Sequence, residues 1–144
     1  YSITIPEIGS FTATVPPIVV VTSNRTRDVH DALKRRCLYH WVEHPGYDRE
    51  VEILKSKAPT VAPLLLKQIA SVVGQMREMN LYKPPGVSES IDWALALDRL
   101  GSRDLDEESI LSTIGALLKY REDQEKLKNE DLDQVLQIAY SRAG

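Results

Sequence analysis

From Tyr47 onward the sequence repeats one pattern: a short run of apolar residues at helical spacing, then a stop that no helix crosses. Asp48 reads as the cap of a helix through about Lys57, with Val51 and Leu54 inward. Thr60 reads as the cap of a second, with Pro63 tolerated in its first turn. The inward stripe of that helix is Leu65, Ile69, Val72 or Val73, Met76 and Met79. Lys83-Pro84-Pro85-Gly86 is a hard stop. Ser88 then caps a helix to about Leu100, and Gly101 ends it. Asp104 or Asp106 opens the next, with Ile110, Leu111, Ile114, Leu117 and Leu118 on one face. The charged stretch YREDQEKLKNED reads as a solvated helix end plus loop, and Asn129 as the start of a last helix carrying Leu132, Val135, Leu136 and Ala139. Each helix is too short to be stable alone in water. About five of them must therefore bury their stripes on one another.

Residues 1–46 differ. SITI and FTATV are short alternating runs around PEIGS, which carries turn chemistry. After Pro16-Pro17, the apolar run Ile18 to Val21 fits a strand buried on both faces, as in a parallel sheet. Asp28 to Arg36 reads as a short helix, and CLYHWVEHP as a further strand ended by Pro45-Gly46. The fold class is thus mainly α with a small α/β N-terminal part, divided as 1–46 and 47–144. The chain opens at Tyr1 inside a strand-like run and reads as a piece of a longer protein.

Composition narrows the function classes. The net charge of -3 gives no general electrostatic footprint for nucleic acid, so that partner is disfavoured. Cys37 is the single cysteine, which excludes an intrachain disulfide and points to a reducing, cytoplasmic setting. No apolar run approaches the roughly 20 residues of a membrane span, so no membrane partner is expected.

The chemistry-bearing candidates lie at strand and helix ends. Ligands of open α/β sheets sit beyond the carboxyl ends of the strands. Thr22, Ser23 and Asn24 stand there after Ile18–Val21. A neutral amide such as Asn24 both accepts and donates, so it can hold a water against a phosphate, although it also suits an ordinary turn. Arg35 and Arg36 close the following helix. There they either offset the helix dipole or act as an arginine finger on a transferring phosphoryl group. Cys37, His40 and His44 suggest metal ligands by type alone. On a strand, His40 and His44 stand about 13 Å apart, too far for one ion, and no metal site is expected. Trp41 and Trp93 read as buried anchors.

The segment VVVTSNRTRDVHDALKRRCLYHW resembles AAA+ ATPases, most closely the MoxR branch. TSNRTR, HDALKRRC and the later KPPGVSESIDWALAL are similar to the wording of that family. DALKRRC also resembles the arginine motif of clamp loaders. The resemblance covers nearly the whole chain, from ITIPEIG to GALLKYREDQEKL. It implies the end of an AAA+ α/β core in residues 1–46 and the helical lid subdomain in 47–144. It also implies that Asn24 is sensor 1 and that Arg36, or failing it Arg35, is a finger acting on a neighbouring subunit. Ser88 and Ser90 would be the lid residues facing nucleotide. In many relatives a sensor 2 arginine stands where this chain has Ser90, and a hydroxyl cannot supply that charge.

What the resemblance implies for the intact protein is a ring, expected to be a hexamer. It would hydrolyse ATP with Mg to remodel or mature a client protein, in some relatives alongside a von Willebrand factor A domain protein. These 144 residues contain no Gly-x-x-x-x-Gly-Lys-Ser/Thr loop and no Mg-holding acidic pair at a strand end. Alone they should be inactive and bind no cofactor tightly. Two rival readings are a non-catalytic helical interaction module and a nucleic-acid-remodelling AAA+ relative.

Overall fold

The computed structural model describes residues 1–23 and 29–143. They form two compact units, Tyr1–Trp41 and Val42–Gly144. Helices dominate, and the strands of the described residues make one small antiparallel sheet.

In the first unit, β1 (Ser2–Ile5) pairs with β2 (Gly9–Thr12), with Ile3 opposite Phe11 and Thr4 opposite Ser10. Gly9 takes φ +96°, which a side chain would resist. Alternation puts Ile3, Ile5 and Phe11 on one face and Ser2, Thr4, Ser10 and Thr12 on the other. Across the polar face Thr4 Oγ1 and Ser10 Oγ are 2.7 Å apart. The short helix α1 (Asp31–Lys34) starts at His30, whose Nδ1 accepts from the Ala32 N–H at 3.3 Å.

Two expected strands are not formed. Ile18–Val21 has no strand pairing, and Ile18 is 96% exposed. Cys37–His44 is also without strand structure, and the anchor expected of Trp41 is half exposed, its ring 5.1 Å from Tyr39. A strand is completed only by another strand's N–H and C=O groups, and β1 and β2 satisfy each other. An apolar run shows the capacity to pair but not the partner. The helix expected over 28–36 is shorter, and Asp28 lies outside the described residues.

The second unit holds α2 (Tyr47–Lys57), α3 (Pro63–Glu78), α4 (Val87–Arg99), α5 (Glu107–Leu117), α6 (Arg121–Lys126) and α7 (Leu132–Ala143). Helix α3 is the centre: α7, α2 and α4 all pack on it, and α5 packs on α4. The core joins Leu54, Leu65, Ile69, Val72, Val73 and Met76 to Trp93, Ile110, Ile114 and Leu117. Trp93 is fully buried and its indole N–H donates to Thr113 Oγ1 at 2.7 Å. No helix among the described residues is long and apolar enough to cross a membrane.

The helix starts differ from expectation in instructive ways. Pro63 itself takes the first helical position, so α3 begins there with Ala62 extended before it. Thr60 instead donates to Asp98 Oδ2 at 3.0 Å. Gly46 and Gly86 precede α2 and α4, which puts Asp48 and Ser88 inside the first turns rather than at the caps. Gly101, at φ +81°, ends α4: its N–H reaches Asp98 O at 3.0 Å, and the Ser102 N–H reaches Leu97 O at 3.0 Å.

The charged stretch is the largest correction in this unit. Asn129 opens no helix. Residues 121–143 run helically throughout, with a π-turn over Leu127–Asp131. Asp123 and Leu127, four residues apart on one face, are both buried. Their charged neighbours conceal that inward face in the sequence.

Asp106 caps α5 reciprocally with Ser109. The Ser109 N–H donates to Asp106 Oδ1 at 2.7 Å, and the Asp106 N–H donates to Ser109 Oγ at 3.0 Å. The hydrogen bonds from the Ser109 backbone and then its hydroxyl hold the Asp106 carboxyl below its ordinary value. A carboxyl lowered in the folded state contributes above its unfolded pKa, about 3.9, and loses that contribution as pH falls through the folded pKa. Asp106→Ala should therefore cost about 1 kcal/mol at neutral pH. Asp106→Asn should keep the cap and remove this residue's share of acid destabilisation. Urea unfolding at pH 7 and pH 3 measures both.

Candidate functional site

Asn24 lies outside the described residues. The two arginines lie at the end of α1. Arg35 is its C-cap, with φ -69° and ψ -16°, and the Arg36 N–H donates to Leu33 O at 3.0 Å. Both side chains are exposed, as is the free thiol of Cys37. The start of α1 is neutralised locally, Asp31 lying 3.7 Å from Lys34.

Ser88 and Ser90 share the opening turns of α4 but have opposite surroundings. Ser88 is exposed, whereas Ser90 is fully buried. The Ser90 hydroxyl lies 2.7 Å from Glu50 Oε1 and 3.1 Å from Gly86 O. Glu50, on α2, has no exposed surface. Arg77, on α3, meets it in a fork: Nη1 donates to Oε2 at 2.8 Å and Nη2 to Oε1 at 3.1 Å. Arg77 Nε donates to Pro85 O at 2.9 Å, and its side chain is only 8% exposed. Three helices therefore meet on one carboxylate, and the α3–α4 connection is tied to it through Arg77 and Ser90. Every buried side-chain nitrogen and oxygen among the described residues has a partner.

Beside Arg77 is a pocket of about 220 Å³ lined by His44, Tyr47, Gly74, Glu78 and Arg142, among others. Tyr47 donates its hydroxyl to Arg142 O at 3.2 Å. Burial, and then the Asp48 charge, raise the Tyr47 pKa above its ordinary value, while Arg142 opposes them. Among the described residues no group of three or more His, Cys, Asp and Glu could hold a metal ion.

Sequence reasoning missed Glu50, Arg77 and Asp123. A signal was present. Glu50 stands four residues before Leu54, and Arg77 four after Val73, so each falls on its helix's inward face. One acid and one base at core positions of neighbouring helices suggest a buried pair. No family model, curated protein or solved structure matches this chain.

Removing one partner of a buried ion pair leaves the other uncompensated. Arg77→Ala should cost about 3–5 kcal/mol in unfolding free energy. Arg77→Lys should lose part of this, because an ammonium cannot repeat the fork. The combined variant Glu50→Leu/Arg77→Met should recover most of the loss. Guanidinium unfolding followed by Trp93 fluorescence reads all three.

Proposed function

We propose that this chain is the sensing and lid part of a MoxR-type AAA+ ATPase, whose intact form hydrolyses ATP in a ring to remodel a client protein. The observation that carries the reading is the pair Arg35-Arg36 before Cys37. It stands exposed at the end of a short helix, within the wording TSNRTR and HDALKRRC. An exposed, permanently charged fork is what phosphoryl transfer on a neighbouring subunit requires. The order of parts agrees: the finger segment comes first, and a compact helical unit follows it. Asn24 is the sensor in this reading, and ATP with Mg is the substrate complex.

The lid would work differently from that of an arginine-bearing relative. Ser90 gives its hydroxyl to Glu50, and the Arg77 guanidinium is held by the same carboxylate. In this reading Ser90 anchors the start of α4, and Ser88, less enclosed, is the residue of that turn open to nucleotide.

The reading requires a phosphate-binding loop in the chain outside these 144 residues. In the full-length protein, Arg36→Ala should lower ATP turnover by about 10³-fold or more and leave nucleotide binding within a few-fold. Stopped-flow binding and phosphate release measure the two separately. Unchanged turnover, or a full-length chain without Gly-x-x-x-x-Gly-Lys-Ser/Thr, overturns the proposal.

A further inference from the structure

The connection from α3 to α4, residues 80–86, is fastened by charged side chains at both ends. From α6, Asp123 accepts the Tyr82 N–H at 2.7 Å on Oδ1 and the Lys83 N–H at 3.1 Å on Oδ2. Lys126, also on α6, donates to Asn80 O at 3.1 Å. The Tyr82 and Tyr120 rings meet edge-on at 4.7 Å. At the far end Arg77 holds Pro85 O, and Arg77 is bound to Glu50, which takes the Ser90 hydroxyl.

Between the two fastenings lie Pro84 and Pro85. Each proline fixes its own φ and supplies no N–H. Few soft torsions therefore remain between Lys83 and the Pro85 carbonyl, and a displacement at Tyr82 and Lys83 is carried forward rather than absorbed. Moving the Pro85 carbonyl strains the Arg77 Nε bond, and Arg77 shares its carboxylate with Ser90.

We propose that Asp123 is a clasp whose hold on the α3–α4 connection sets the conformation of the first turn of α4. A partner that draws α6 away from Tyr82 and Lys83 would loosen the turn carrying Ser88 and Ser90. The significance of that turn for nucleotide rests on the reading above; the coupling itself does not. The test separates transmission along the connection from general destabilisation.

The test is amide hydrogen exchange on the 144-residue chain, comparing wild type, Asp123→Asn and a core control, Ile114→Val. An asparagine amide can accept one of the two bonds but turns a donor toward the other N–H. The expected result is exchange about tenfold faster at Tyr82 or Lys83, the loss of a charge-assisted bond. Several-fold faster exchange is expected at Ser90, with Ile69 to Val73 unchanged. Acceleration confined to Tyr82 and Lys83 overturns the proposal. So does a uniform acceleration like that of Ile114→Val. If Asp123→Asn does not fold, Lys126→Met removes the neighbouring fastening at Asn80. It should give the same pattern in weaker form, and an unchanged Ser90 amide overturns the proposal there too. None of these outcomes depends on ATP, so failure of the clasp is distinct from failure of the ATPase reading.

Discussion

Burying a carboxylate among helices costs several kcal/mol unless a partner of good geometry meets it. In this chain Glu50 has no exposed surface, and the partner is Arg77. The consequences spread through the helical unit. Helices α2 and α3 must cross where the fork can form. The Pro85 carbonyl must reach Arg77 Nε, and α4 must begin where Ser90 can reach Glu50. The apolar core supplies most of the stabilising burial, but it tolerates many registers of packed aliphatic chains. A bidentate pair tolerates far fewer. We read the pair as the element that selects one arrangement of α2, α3 and α4.

Asp123 plays a related part on the other side of the α3–α4 connection. That connection contains two prolines, so it has few amides with which to make its own hydrogen bonds. Its Tyr82 and Lys83 N–H groups are met by a side chain from α6, and its Pro85 carbonyl by one from α3. The segment is irregular in backbone yet anchored in detail. This places the opening of α4 under the control of distant residues.

Much of the helical unit was legible because helical information is local. The stripe on α3, the inward faces of α5 and α7, the Pro84-Pro85-Gly86 stop and the Gly101 terminator each need only a few neighbouring residues to be read. The helix starts were less legible, because Gly46, Ala62 and Gly86 precede helices without a side-chain cap. The first hairpin formed as read, but the two later strands failed for a nonlocal reason. Ile18–Val21 has the composition of a buried strand, but burial depends on partners that composition does not name. Of the candidate site, Arg35 and Arg36 stand where the helix reading put them, at the end of α1, and Asn24 lies outside the described residues. The clamp at Glu50 and the clasp at Asp123 were hidden because a charged residue is almost never fully buried unless paired. Both acids sit on faces that their apolar neighbours mark as inward.

The central claim is that Arg77 is locked by Glu50 and Pro85 within the helical unit. Its guanidinium protons report this directly. In a nitrogen-15 NMR spectrum the account predicts resolved, slowly exchanging signals for Arg77 Nε and separate signals for its two Nη groups, with cross-peaks to Ser90. A single averaged Nη signal, exchanging with water as fast as that of exposed Arg121, would contradict it.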